Sequence, residues 1–143
     1  MMNREILFRG KRKDDGKWIE GSLITYPSGN MRIAVTTSSH ESQVLYGLLE
    51  FIIPETVGQY TGATDKTGKK MFEGDIVKLQ SNHTSYYIVE LYKYQWIFRY
   101  INRKTEYYQF DTVDDNFGMK NGISENVEII GNIHDDPDLL EQR

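Results

Sequence analysis

His40, His83 and His134 are the three histidines of this 143-residue chain, and each stands alone in its segment. A zinc site draws three or four ligands together, and neither His-x-x-x-His nor His-Glu-x-x-His occurs. There is no cysteine, hence no thiolate ligand, disulfide or Cys nucleophile. Asp111, Asp114 and Asp115 miss the alternate-position spacing of a calcium loop with its glycine and distal glutamate. His134-Asp135-Asp136 has hard-cation ligand types but reads more simply as a charged chain end. Ser38-Ser39-His40-Glu41 holds the residue types of a hydrolytic triad, yet neighbours on a polar loop do not converge as one, and no Gly-x-Ser-x-Gly elbow is present.

Gly62 to Lys70 superficially suggests a phosphate loop. A P-loop needs four residues between its glycines and then Lys followed by Ser or Thr. Here five residues intervene, Lys70 stands where the hydroxyl belongs, and no helical pattern follows to supply an N-terminus for the phosphate. A turn with solvated lysines is the better account. Glu55, Glu73 and Asp75 are carboxylates near turns. In Glu73-Gly74-Asp75 the glycine permits the bend and the aspartate bonds nearby amides. No catalytic residue, cofactor or metal is expected, and the protein is read as non-enzymatic.

The denser signal is aromatic. Ten of the eighteen aromatic residues fall between positions 86 and 110: Tyr86, Tyr87, Tyr92, Tyr94, Trp96, Phe98, Tyr100, Tyr107, Tyr108 and Phe110. Lys93, Arg99, Arg103 and Lys104 are interleaved. Rings beside cations on a sheet are how β-barrels hold single-stranded nucleic acid, but aromatics also fill small barrels. Alternation places Trp96, Phe98 and Tyr100 on one face, the expected core, and Ile97, Arg99 and Ile101 on the other. Tyr94, Arg99, Arg103, Lys104 and Tyr107 are the candidate surface for a partner or for nucleic acid.

Seventeen basic against twenty-one acidic residues leave a net charge of −4, unlike a protein whose affinity rests on neutralising phosphates. The charge is uneven: Arg4, Arg9, Lys11, Arg12, Lys13 and Lys17 crowd the start, and Asp135, Asp136, Asp138 and Glu141 the end. No apolar run nears the roughly 20 residues of a membrane-spanning helix. The opening Met-Met-Asn-Arg-Glu lacks an apolar leader, so a cytoplasmic location is expected and no membrane partner.

The elements that must position these side chains read as strands. A strand at Ile6–Phe8 turns at Asp14-Asp15-Gly16 into Trp18–Tyr26, which turns again at Pro27–Asn30 into the alternating Met31–Thr36. Residues 37–43 form a loop. Val44, Leu45, Leu48 and Leu49 have i, i+4 spacing that allows one or two helical turns in competition with a strand. Glu50–Ile53 is a strand stopped by Pro54. Extended segments follow at Thr56–Tyr60, Ile76–Leu79, Tyr86–Tyr94, Gln95–Ile101, Lys104–Phe110 and Val127–Ile133, with a loop at 113–124. Asp136-Pro137 caps a helical turn over Asp138–Gln142. About nine strands with little helix predict an all-β domain, one or two small, partly open barrels of short antiparallel strands. One domain over residues 1–143 is expected, with any subdivision between an N-terminal β unit at 1–60 and a small barrel at 61–135.

Several blocks occur together in a characteristic order. They are Glu5–Lys11 with Gly16–Gly21, Ile53–Gly62, Asp65–Val77 and Ile130–His134. In this combination the chain resembles the YopX family of bacteriophage and prophage proteins, least well over residues 80–126. The resemblance implies a β-rich fold and a phage- or prophage-encoded protein in a bacterial host. It brings no catalytic residues, since the matching positions lie at turns and strand edges. The expected function is that of an interaction module for a protein partner, self-association included. The alternative is a single-strand nucleic-acid binder using strands 86–110.

Overall fold

The computed structural model describes residues 5–35, 48–79, 82–110, 119–120, 123–124 and 126–141. The described residues are mostly strand, with two short 3-10 turns at Pro54–Thr56 and Pro137–Glu141. The chain separates into two compact units, Met1–Tyr60 and Thr61–Arg143.

In the first unit β1 (Phe8–Lys11) pairs antiparallel with β2 (Trp18–Thr25). The turn between them is closed by the Lys17 amide donating to Asp15 Oδ1 at 3.0 Å and by Gly16 at φ 71°, the conformation that glycine supplies without a Cβ penalty. β3 (Met31–Val35) follows β2, and β4 (Leu48–Ile52) pairs with β3 from Met31↔Ile52 to Val35↔Leu48. Leu48 and Leu49 are therefore strand and not helix, because cross-strand pairing with β3 satisfies their backbone; residues 44–47 of that reading lie outside the described residues. β4 then returns to the first strand: Arg12 bridges Ile52, the Ile53 amide donates to Lys11 O, and the Lys13 amide donates to Phe51 O, both at 2.9 Å. This bridge brings β4 back to the end of β1, and the sheet forms no closed barrel. Ile33 and Ile52 are fully buried. The first residues of β5 (Gly58–Thr64) pair with Phe8 and Arg9.

The second unit holds a five-stranded antiparallel sheet. Its order is β10 (Tyr107–Gln109), β9 (Gln95–Tyr100), β8 (Asn82–Tyr92), β7 (Asp75–Leu79), β13 (Val127–Asn132). β6 (Lys70–Phe72) pairs with β5. Two two-residue strands, β11 (Met119–Lys120) and β12 (Ile123–Ser124), pair with each other, and Ile123 lies parallel to Thr64. So the stretch expected as a loop to residue 124 contains strand at its end, while 113–118 lies outside the described residues. Only Tyr107–Gln109 of the segment 104–110 is strand, and the terminal helical turn is 3-10 and begins at Pro137. The core joins Ala63, Met71, Val77, Leu79, Tyr87, Val89, Phe98 and Val127.

Gly62 to Lys70 is strand, turn and strand, and the turn is organised by Asp65, which is only 1% exposed. Asp65 Oδ1 accepts the Thr67 amide at 2.9 Å, the Thr67 hydroxyl at 2.7 Å and the Lys69 amide at 3.0 Å; Oδ2 accepts the Ile129 amide at 3.0 Å. Burial alone would push this carboxyl up, but these bonds, led by that from Ile129, outweigh it and hold the group below the ordinary carboxylate range. Asp75, equally buried, accepts the Phe72 amide at 2.7 Å across Gly74, whose φ is 93°.

Candidate functional site

β8 and β9 form the hairpin that carries the aromatic-rich segment. Pairing runs from Tyr87↔Tyr100 to Tyr92↔Gln95, so Lys93 and Tyr94 alone make the turn. A two-residue hairpin matches the strand twist best with both central residues at positive φ, which is why Asn-Gly is favoured there. Lys93 (φ 48°) and Tyr94 (φ 70°) adopt that conformation without being either.

One face of this sheet packs into the core cluster, but the other is not simply solvent-facing as alternation predicts, because Ile97 is fully buried and Ile101 nearly so. Trp96, Tyr100, Tyr108 and Phe110 pack against the buried cluster containing Phe98 and Tyr87. Phe98 stacks on Phe110 with centroids 4.2 Å apart, Tyr87 lies 4.5 Å from Tyr100, and the Tyr100 and Tyr108 hydroxyls are 3.1 Å apart. Burial, reinforced by Tyr100, pushes the Tyr87 phenol up.

The other face carries Arg99 and Tyr107. Arg99 grips Glu90 with a fork: Nε lies 3.1 Å from both carboxylate oxygens, and Nη2 lies 2.8 Å from Oε2. Its Nη1 donates to the Lys104 carbonyl at 2.6 Å. The guanidinium also lies 4.7 Å from the Tyr92 ring centre and 5.5 Å from that of Tyr107. The Glu90 hydrogen bonds raise the Arg99 pKa above its usual value. Arg103 pairs with Glu106 at 3.3 Å in solvent and lies 5.6 Å from the Tyr100 ring centre. The structure thus gathers Glu90, Tyr107 and the Lys104 carbonyl around Arg99, with Arg103 in the adjoining turn. Tyr94 stands apart at the hairpin tip with its side chain wholly exposed.

Glu90 was invisible to sequence reasoning. Had the turn been placed at Lys93–Tyr94, register would have paired Glu90 with Ile97 and made Arg99 its diagonal neighbour on the same face. Of the other chemical candidates, Ser38, Ser39, His40, Glu41, Asp111, Asp114 and Asp115 lie outside the described residues. His134 and Asp135 donate their amides to Asn132 Oδ1, and Asp136 Oδ2 accepts the Asn132 amide, so these acids shape a turn. Among the described residues no group of three or more His, Asp or Glu could hold a metal ion, and no helix is long and apolar enough to cross a membrane.

The turn chemistry gives a first expected result. Replacing Lys93-Tyr94 with Asn-Gly should raise stability by about 1 kcal/mol, because it removes two strained residues and supplies the favoured type I′ pair. Thermal unfolding should show a midpoint several degrees higher; a lower midpoint would mean that Tyr94 supports its own fold.

Comparison with known proteins agrees with this architecture. The crystal structure of protein EF1440 from Enterococcus faecalis is similar over 96% of this chain and 99% of that one, with a TM-score of 0.54 and 17% identity. The crystal structure of yopX from Bacillus subtilis is similar over 94% and 95%, with a TM-score of 0.51 and 13% identity. At such identities the likeness is one of fold. Comparison with curated proteins finds no match. The sequence pattern of the YopX protein family matches residues 7–141, and the chain belongs to that family.

Proposed function

We propose that the protein is a non-enzymatic interaction module that grips a protein partner, or a second copy of itself, through the tip of the β8–β9 hairpin. In keeping with its family resemblance, we place it as a phage- or prophage-encoded accessory protein acting in the cytoplasm of the bacterial host. The observation that carries this reading is Tyr94: a fully exposed aromatic held at φ 70° in a turn where Asn or Gly would cost less. Local stability does not explain the residue. Tyrosine is among the residues that most often dominate protein interfaces, since it brings a large apolar ring with a polar tip at little entropic cost. Leu91, 47% exposed near the same tip, extends the apolar surface.

Nucleic-acid binding would ask for exposed rings beside available cations. Here most rings of the segment are packed or half-packed, and Arg99 already serves Glu90 and Lys104. Protein contact is therefore the reading adopted.

A photo-reactive phenylalanine analogue placed at position 94 in the producing bacterium should give discrete protein adducts or a cross-linked dimer. The same probe at exposed Glu20 should give none. No adduct at position 94, or equal labelling at both, would overturn the proposal. Micromolar binding of single-stranded DNA or RNA in a gel shift, lost on replacing Arg99 and Arg103, would install the nucleic-acid reading instead.

A further inference from the structure

Among the described residues, the first unit presents an arginine whose charge meets no carboxylate. Arg32 lies on β3 beside Phe51 of β4 and Ile24 of β2. Its guanidinium sits 3.8 Å from the Phe51 ring centre and 5.9 Å from that of Tyr26. Three other arginines meet carboxylates: Arg12 meets Asp14, Asp15 and Glu50, Arg99 meets Glu90, and Arg103 meets Glu106; Arg9 lies 4.8 Å from the Trp18 ring centre. Among the described residues Arg32 meets none, and its Nε is buried with no acceptor. A half-buried cation without a counter-charge is costly unless something brings one.

A cavity of about 250 Å³ opens on this group, lined by Tyr26, Ser28, Asn30, Arg32 and Phe51. Among the described residues the lining contains one positive charge, neutral hydroxyl and amide groups, and no acid. A neighbouring cavity of about 420 Å³ shares Asn30 and Phe51 but is lined also by Lys13, Asp14 and Glu50. The fork of a guanidinium matches two coplanar oxygens of one ligand group. A single cation balances a single negative charge; a phosphate dianion would remain one charge short and would face the acids next door.

We infer that the Arg32 cavity is a binding site for a carboxylate whose carbon skeleton lies against Phe51. The chemistry is common to a polypeptide's carboxylate and to a free small organic acid. Both present two oxygens to Arg32 and an apolar body to the ring.

Amide-resolved NMR titration of the full chain with benzoate tests this. Saturable shifts should centre on Asn30, Arg32 and Phe51 with a millimolar dissociation constant, as befits so small a ligand. Benzamide, the same shape without the charge, should bind at least about tenfold more weakly. Arg32→Gln should abolish the benzoate response, and Arg32→Lys, which keeps the charge but loses the fork, should weaken it several-fold. A short peptide ending in phenylalanine identifies the source: tighter binding than benzoate, lost on C-terminal amidation, assigns a polypeptide, and equal or weaker binding assigns a free acid. Equal binding of benzamide, tighter binding of inorganic phosphate, or no saturable shift with benzoate would each overturn the inference. These comparisons use the wild-type chain, so they stand even if an Arg32 variant fails to fold.

Discussion

Asp65→Ala is expected to destabilise the second unit by about 3–5 kcal/mol, a large share of what a domain of this size possesses. The carboxylate is buried and accepts four hydrogen bonds from Thr67, Lys69 and Ile129. Alanine removes every acceptor at once and leaves three backbone amides and a hydroxyl without partners. Leaving these part-buried donors without their acceptor costs more than the bonds themselves contribute, most of all at Ile129 in the ladder. Thermal unfolding should show the midpoint lower by roughly 10 °C or more. Asp65→Asn separates the two carboxylate oxygens. An amide can keep its oxygen toward Thr67 and Lys69, but then its NH2 group faces the Ile129 amide, donor against donor. Faster hydrogen exchange at Ile129 is therefore expected, with the 65–69 turn largely retained. Equal loosening at Thr67 and Ile129 would contradict this division.

The same group sets a pH dependence. Its folded pKa lies below the ordinary value, so folding favours the ionised form. The stabilisation is complete above the unfolded-state pKa, near pH 4, and is lost as pH falls through the lower folded value. Denaturant melts should accordingly show wild-type stability falling below about pH 4 more steeply than that of Asp65→Asn, which has no proton to gain.

What could be read in the sequence was whatever has a local cause. The turn at Asp14-Asp15-Gly16 was legible because Asp and Gly encode it within four residues. The packed face of Trp96, Phe98 and Tyr100 was legible from period-two alternation, whereas the burial of Ile97 and Ile101 on the opposite face was not. The turn at Asp65 was visible too, but not its purpose, because one of its four bonds reaches Ile129, 64 residues on. The Lys93–Tyr94 turn escaped detection because neither residue is a turn former, so the proposed contact point is where sequence rules and structure part. Such departures concentrate at sites that work. Arg99 was singled out as a cation beside aromatics, yet whether it is available depended on Glu90, nine residues away across the hairpin. Arg32 drew no notice, since a lone arginine in an alternating strand looks like any solvated residue. That no carboxylate among the described residues meets it can only be seen once the neighbouring strands are in place.

Gly21→Ala is expected to cost about 3 kcal/mol or more and to disrupt the β2–β3 ladder. A Cβ at position 21 would stand 2.2 Å from the Ala34 carbonyl oxygen and 2.9 Å from its carbon. Those atoms belong to the backbone of β3 and cannot swing aside, so one strand must move away from the other. Gly10 is the instructive contrast. Its added Cβ would meet Ile52 Cγ2 at 2.3 Å, and although β-branched Ile52 is stiff at χ1, that atom belongs to a side chain and not to the backbone of a paired strand, so the small core of Ile33, Ile52 and Val57 can shift around it. Gly10→Ala should therefore cost less, about 1–3 kcal/mol. Because Ile24↔Arg32 belongs to the ladder that Gly21→Ala opens, the same substitution should also erase the benzoate-dependent shifts at Arg32, whereas a Gly10 variant that stays folded should retain them. Urea denaturation followed at Trp18, with NMR of the folded fraction, reads both effects. An order of cost in which Gly10 exceeds Gly21 would mean that β2 and β3 can separate more easily than the core around Ile52 can shift.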